Sequence, residues 1–373
     1  MRSWRRSTAT PSRRASTSGR PRATPDGATV AADELERWSR ELLAAAGLED
    51  DAAATVARTL VWTSLRGTDS HGVARVPVYV ERLRDGVINT HPRPSVARRD
   101  GAIAIVDGDR GPGQVASVFA TDLSVELARE HGIGAVGVRR SAHNGAQAFY
   151  AMRAAEQGMV ALALTNTEPL VIPFGGAEPA LGTNPICLAA PTAGGEVFNL
   201  DLATSQVAIN RIFNARDEGR AIPDDWGVDA DGRPTTDAAA VVSAVPLGGY
   251  KGYALALMVE LLCGVLPGAG VRHGVGGLYT GADVEQDVGH FHLALDPERT
   301  VGRERFATVL GGLLADLRAI PPAPGFDEVL VPGDPEARAQ GRRSREGVPI
   351  EPALWATLRA LSDELGVTAP SGG

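Results

Sequence analysis

The alternation of apolar and polar positions changes rhythm along the chain. After Thr29, the stretch VAADELERWSRELLAAAG puts Ala, Leu and Trp at three- and four-residue intervals, the period of a helix with one buried face. Thr29 is a candidate N-cap and Gly47 a C-terminal stop. A second stretch, AAATVARTLVWTSLR, follows Asp50 and Asp51 and ends at Gly67, so the chain is expected to open with a helical hairpin. A third, shorter helix is predicted around Val76 to Arg84, with Pro77 in its first turn and Gly86 at its end.

The middle of the chain has a different texture. AIAIVDG, GIGAVGV, MVALALTNT, PICLAAP, VFNLDLA and FHLALD are short apolar runs with turn residues between them, as buried strands require. QVASVFATDLSVELAREHG, AQAFYAMRAAEQG and KGYALALMVELLCGVL lie among them as predicted helices. From Arg303 the order becomes helix (ERFATVLGGLLADLRAI), proline-rich loop (PPAPGF), strand (EVLVPG) and terminal helix (PALWATLRALSDELG). Mixed order of this kind predicts an α/β or α+β fold with a central sheet. Residues 29–100 and 303–373 are expected to form one discontinuous helical domain beside a catalytic domain at 101–302.

Length and composition narrow the class. A chain of 373 residues exceeds what one core usually organises, and 43% hydrophobic with 22% charged residues is globular. No apolar run reaches the roughly 18 residues that span a bilayer, so a soluble protein is expected. The net charge of -8 is uneven: residues 1–29 hold seven arginines against Asp26 alone, +6, which leaves -14 on the remainder. An acidic body excludes a nucleic-acid groove, which needs a clustered positive face. The first 28 residues, rich in Arg, Ser, Thr and Pro, have little to bury; they read as a disordered basic tail without the apolar stretch of an export signal. Cys187 and Cys263, each inside an apolar run, read as buried free thiols of a reducing compartment, the cytoplasm.

Several clusters carry chemistry. Gly111-Pro112-Gly113-Gln114-Val115-Ala116 follows a strand and opens a helix, imitating a dinucleotide-binding G-x-G-x-x-A turn. The next strand ends in Arg139 and Arg140, not in the acid that would hold a ribose, although arginines also suit an NADP phosphate. Asp69-Ser70-His71-Gly72-Val73-Ala74-Arg75, with Tyr79, spaces an imidazole, a guanidinium and a phenol four residues apart. On a helical segment they share a face, where arginine offers a fork to a carboxylate and histidine titrates near neutrality. His143, in Ser141-Ala142-His143-Asn144-Gly145-Ala146, sits on a loop after a strand among small residues, a suitable place for general acid/base work.

Thr165-Asn166-Thr167-Glu168-Pro169, Pro173-Phe174-Gly175-Gly176 and Leu181-Gly182-Thr183-Asn184 concentrate backbone N–H groups and short donors suited to phosphates or a carboxamide. Lys251, in Gly248-Gly249-Tyr250-Lys251-Gly252, is the chain's only lysine among 37 basic residues, which marks a position needing a compact ammonium. A rival reading takes His290-x-His292, on one face of a strand, as half of a metal site in a lyase or hydrolase, but no third ligand has a suggestive spacing.

Together DSHGVARVPVYVERL, SAHNGAQAFY, PFGGAEPALGTNP, DLATS and GGYKGYALALMVELL resemble the type 2 malate/L-lactate dehydrogenase family, from about Thr29 to Gly366. That group includes ureidoglycolate, sulfolactate and diketogulonate dehydrogenases and a piperideine-2-carboxylate reductase. The resemblance implies a non-Rossmann NAD(P) fold, a largely antiparallel sheet and a homodimer. It also implies hydride transfer between NAD or NADP and the alpha carbon of a small 2-hydroxy or 2-oxo acid, without a metal. By the same resemblance His143 is the general acid/base, with His71 and Arg75, and Ser70, Arg75 and Tyr79 bind the substrate. Thr167, Pro173, Gly175, Asp201, Leu202, Ala203, Lys251, Gly333 and Asp334 are implied at the cofactor. One departure stands out: Gln286 occupies a position where the resemblance implies arginine in the ureidoglycolate enzymes.

Overall fold

The computed structural model describes residues 27–279 and 284–371. Most of the basic tail expected at residues 1–28 therefore lies outside the described residues. The chain begins with β1 (Ala28–Val30), α1 (Ala32–Ala45) and α2 (Asp50–Leu65), then two single 3-10 turns over Asp69–His71 and Val73–Arg75, and α3 (Val76–Arg84). There follow β2 (Ser95–Asp100), β3 (Ile103–Asp107), α4 (Gly113–His131), β4 (Ile133–Ser141), α5 (Ala148–Ala155), β5 (Val160–Thr165), β6 (Ile186–Pro191) and β7 (Val197–Leu202). After α6 (Ile209–Asp217) and the two-residue strands β8 (Gly227–Val228) and β9 (Ser243–Ala244) comes α7 (Tyr250–Glu260), continued by a π turn over Leu261–Val265. The chain closes with β10 (Val288–Leu295), α8 (Arg303–Arg318), α9 (Asp334–Glu346), β11 (Val348–Ile350) and α10 (Pro352–Leu365).

Seven strands form the central sheet in the order β2-β3-β4-β10-β5-β6-β7, and only β3 and β4 run parallel. Strand alternation sorts the side chains. On β10, Ala294 packs with α5 residues and His292 contacts Thr121 of α4. Phe291 faces the other way, toward Val259 and Cys263 of α7 and its π turn. The middle of the sheet is thus covered on both faces, which explains the continuous apolar strand runs there.

Chain ends meet as well as neighbours. β1 pairs antiparallel with β11, and α1, α2, α3 and α10 share one apolar core around Trp38, Leu42, Leu60 and Leu358. Trp38 lies edge-on to Trp355 at 5.4 Å and its Nε1 donates to Ser362 Oγ at 2.8 Å, satisfying its one polar atom.

The structure corrects the sequence reading in four places. Thr29 is a strand residue paired with Pro349, and α1 starts after Ala31 without a side-chain cap. EVLVPG forms no strand; the Val331 amide donates to the Asp334 carboxylate at 3.0 Å and the chain turns directly into α9. β2, on the helical side of the expected boundary, is the edge strand of the sheet. α8, also assigned to the helical part, is tied to the β6–β7 turn through Ala193 N to Ala307 O at 3.0 Å and through Arg318 to Glu196.

Candidate active site

The Gly-Pro-Gly turn does lie inside a genuine β–α–β crossover, β3–α4–β4. Its glycines, however, face protein. A Cβ on Gly113 would sit 2.0 Å from the Ala142 carbonyl oxygen and 2.8 Å from Asn144 Cβ; one on Gly111 would sit 2.4 Å from Pro92 Cβ. Gly113 therefore lets the loop after β4, Ala142 to Gln147, lie directly on the start of α4. Arg140, a possible phosphate holder, binds Asp107 at 3.0 Å instead. The dinucleotide-fingerprint reading fails for these two physical reasons.

That loop carries His143, and its ring is held from behind. The Tyr79 hydroxyl lies 2.6 Å from Nδ1 and itself accepts from Gln114 Nε2 at 2.9 Å. With Gln114 donating to the phenol oxygen, the Tyr79 O–H donates to Nδ1 and the Gly145 amide adds a second donor at 3.3 Å; with the carboxamide turned over, the phenol donates to Gln114 and accepts from Nδ1–H, which leaves Nε2 free. A neutral imidazole with Nδ1 accepting carries its proton on Nε2. Gln286 Oε1 accepts from the His143 backbone N–H at 3.0 Å, which fixes the loop. The departure noted at Gln286 thus supplies a backbone anchor.

His71 stacks near His143, with ring centroids 5.8 Å apart, and Ser70 Oγ lies 3.0 Å from its Nδ1. Two successive 3-10 turns deliver Ser70, His71 and Arg75 to one wall before α3 begins, so the four-residue spacing works without a continuous helix. Arg75 is buried, its Nε has no hydrogen-bond partner among the described residues, and its guanidinium lies 5.3 Å from the centroid of the Tyr279 ring. Burial, reinforced by Arg75, lowers His71 to about 4. Burial together with Arg75, His71 and His290 holds His143 well below the usual imidazole range. Both rings are neutral at pH 7, beside a guanidinium that makes no salt bridge among the described residues.

These groups line one end of a cavity of about 1020 Å³, at the upper limit of ordinary small-molecule sites, roughly 300–1,000 Å³. Beyond His143 the walls are Thr167, Thr183, Asn199 and Asp201 to Ala203, then Trp62, Arg66, Phe213, Pro332, Gly333 and Glu336. Asp201, solvent-accessible on the cavity wall, accepts from the Ala148 amide at the start of α5 at 2.9 Å. Desolvation by the surrounding walls raises its carboxyl to about 6 against that bond.

Of the residues singled out from sequence, the cavity gathers Ser70, His71, Arg75, His143, Thr167, Asp201, Leu202, Ala203 and Gly333. Tyr79 is displaced to the layer behind His143. Pro173, Gly175, Lys251 and Asp334 do not line it. The Pro173–Gly175 loop packs against the start of α7 through Phe174 and Tyr250, 6.2 Å between centroids, and Lys251 is exposed there. Asp334 is taken by Arg318 at 2.5 Å. Sequence reasoning missed Trp62, Arg66, Tyr279 and the roles of Gln114 and Gln286. Gln114 lay in plain view inside the glycine motif, but no spacing rule ties it to a tyrosine 35 residues earlier.

The pair His290 and His292 do share a face, with ring centroids 6.4 Å apart. His290 lies between Thr165 Oγ1 at 2.8 Å and Ser141 Oγ at 2.9 Å, and His292 Nδ1 lies 3.1 Å from Thr121 Oγ1. Among the described residues no three His, Cys, Asp or Glu side chains are grouped to hold a metal ion.

A sheet-backed cavity that joins a neutral imidazole and an unpaired guanidinium at one end, with room for a much larger ligand beyond, defines a cofactor-dependent enzyme acting on a small anion. The family profile of malate/L-lactate dehydrogenase matches residues 30–359. The chain is 35% identical to an NAD(+) ureidoglycolate dehydrogenase of Escherichia coli O157:H7 over 90% of its length and 96% of the relative's. It is 36% identical to a malate dehydrogenase of Pyrococcus abyssi over 90% and 94%. The solved sulfolactate dehydrogenase of Methanocaldococcus jannaschii superposes with a TM-score of 0.85 at 35% identity, covering 91% of this chain and 98% of that one. The chain belongs to the malate/L-lactate dehydrogenase family. It is an oxidoreductase that moves a hydride between NAD(P) and the alpha carbon of a small 2-hydroxy or 2-oxo acid. The cavity suits such a cofactor: its lining includes apolar rings at Trp62 and Phe213 and carboxylates at Asp201 and Glu336.

Proposed function

We propose that Arg75 holds the substrate carboxylate while His143 manages the proton of the alpha oxygen at Nε2, with Ser70 and His71 completing the small-acid end. The observation that carries this reading is that Arg75, His71 and His143 line one cavity, with the His143 ring gripped at Nδ1 from the far side. A dinucleotide bound there would supply the hydride chemistry through its nicotinamide ring. Thr167, Asp201, Leu202, Ala203 and Gly333 would hold it along the long arm of the cavity.

The residues divide the work by charge. Free Arg75 helps to depress the basicity of His143. A substrate carboxylate pairing with Arg75 cancels that repulsion, so binding the acid strengthens the base that must take its hydroxyl proton. In the reverse direction, Nε2–H donates to the oxo oxygen. His71, neutral and stacked beside His143, adds a hydrogen-bonding wall without a second competing charge.

The test is an absorbance assay at 340 nm with NADH and NADPH over a panel of 2-oxo acids, run on wild type and His143→Ala. Wild type is expected to turn over at least one acid. The variant should lose 10²- to 10⁴-fold in turnover, the usual worth of a positioned acid or base, while binding cofactor as before. Wild-type turnover by His143→Ala would remove the proton role from this residue.

The same reading extends to assembly and location. Leu257, Leu261 and Val265, spaced by four on α7 and its π turn, are 49%, 53% and 65% exposed. An apolar row of this kind supports a homodimer in which a second copy covers it. Cys187 and Cys263, both buried and unbridged, support the cytoplasm as the compartment.

A further inference from the structure

We infer that the small-acid end selects a monocarboxylate whose distal part is uncharged and carries an N–H donor, and rejects acids with a second negative charge. This inference rests on the proposed role of Arg75. Its basis is the charge count around that residue. Among the described residues the cations lining the cavity are Arg66, Arg75 and the imidazoles of His71, His143 and His273. Arg66 is spoken for elsewhere: it lies over Trp62 at 5.0 Å, donates to Gln340 at 3.0 Å and has Asp201 and Glu336 as its charged neighbours. His71 and His143 are neutral in their buried setting. One permanent positive charge, Arg75, therefore serves the small-acid end.

Against it, among the described residues at this end of the cavity, stands one carboxylate, Glu168. Its Oε1 accepts from the Leu278 amide at 3.3 Å, and the next residue, Tyr279, lies over the Arg75 guanidinium. Consecutive residues of one loop thus touch Glu168 and Arg75, and all four side chains line the cavity. The negative charge of Glu168 also acts on Arg75 and on Arg82 behind the loop, where Arg82 donates to the Leu278 and Gly277 carbonyls. The remaining walls nearby, Pro169, Leu170 and Val275, are apolar.

An acid that places its first carboxylate on Arg75 therefore meets an acceptor and greasy walls with its other end. A second carboxylate there finds no free cation and repels Glu168 in an enclosed site, where like charges act strongly. An amide or ureido N–H at the same place gains a charge-assisted hydrogen bond. An alkyl tail does neither.

Three isosteric hydroxy acids separate these outcomes: malate, its 4-amide (2-hydroxysuccinamate) and 2-hydroxy-4-methylpentanoate. Each is assayed for kcat/KM in the oxidative direction at pH 8, so that histidine adds no positive charge. The expected order is amide, then alkyl, then dicarboxylate, with at least tenfold between the first and the last. Glu168→Gln keeps an oxygen to accept from Leu278 and removes the charge; it should raise the malate-to-amide ratio at least tenfold. Malate as the best of the three, or an unchanged ratio in Glu168→Gln, overturns the inference and leaves the proposed proton role intact. Turnover of none of the three, with or without the substitution, removes the reading beneath it as well.

Discussion

Tyr79→Phe removes a single oxygen from behind the proposed catalytic histidine, and its consequences can be worked from two distances and one orphaned oxygen among the described residues. The hydroxyl lies 2.6 Å from His143 Nδ1 and 2.9 Å from Gln114 Nε2, while Gln114 Oε1 is buried without a partner. A carboxamide can present either end to the phenol. With its N–H toward Tyr79, the phenol donates to Nδ1 and Nε2 keeps its proton, the form that serves the 2-oxo acid. With its oxygen toward Tyr79, the phenol donates to Gln114 and accepts from Nδ1–H, which frees Nε2 as the base for the hydroxy acid. In both, the phenol fixes the tautomer and steadies any charge that develops on the ring. Hydrogen bonds to charged groups contribute about 1.5–3 kcal/mol net, so its loss should lower kcat/KM by roughly ten- to a hundredfold. Because the equilibrium constant of the reaction is unchanged, kcat/KM must fall by the same factor in both directions. Phenylalanine also strands Gln114 in a buried site, at a cost of about 1–3 kcal/mol, so the Tm should drop by a few degrees. Gln114→Leu added to Tyr79→Phe should then cost little more, because the pair acts as a unit. Steady-state assays in both directions and thermal melts test this. A loss under threefold with an unchanged Tm would refute the relay.

Gly113→Ala should destabilise by about 1–3 kcal/mol or more, since its Cβ overlaps the Ala142 carbonyl, and should cost activity by pushing the His143 loop off α4; a melt and a turnover assay suffice. Acid should unfold the protein steeply. His71 at about 4, His292 at about 3, and His143 and His290 lowered by burial all bind protons more weakly folded than unfolded, so their contribution to stability falls as pH drops through about 6.5. Asp201, raised to about 6, opposes them between that value and the ordinary carboxyl range, a smaller effect than that of the four rings together. Circular dichroism against pH should show loss of structure between about pH 5 and 4, and a native spectrum at pH 3.5 would contradict the burial of these rings. Leu261→Glu should convert the species seen in sedimentation from about twice the 38.9 kDa chain mass to the chain mass itself; equal masses for both proteins would exclude this face as the contact.

What the sequence disclosed follows from what is local. α1, α2, α4 and α10 bury one stripe each against fixed neighbours, and β4, β5, β6 and β10 are covered on both faces, so periodicity or apolar run length reported them. β2 left no such trace, because all six residues of SVARRD are exposed and only pairing with β3 makes them a strand. The site divides along the same line. Ser70, His71 and Arg75 are neighbours in sequence, and two tight turns carry them to one wall. Gln114, Gln286 and Tyr279 reach His143 and Arg75 only through the folded chain, from 29, 143 and 204 residues away respectively.

The glycine motif had the opposite fault of seeming too informative. A strand, a Gly-Pro-Gly turn and a helix are what a phosphate would require, and all three are present. What a motif cannot encode is which atoms occupy the space the glycines leave open. Here that space is filled by the Ala142 carbonyl and the Pro92 ring, so the glycines bring the chain against itself. The same close approach seats His143 beside the helix that supplies Gln114, and Gln114 binds the phenol that binds His143. The residue pattern that imitates a cofactor site is therefore part of the frame that orients the proposed acid/base, while the room proposed for the cofactor is the cavity lined by Thr167, Asp201 and Gly333.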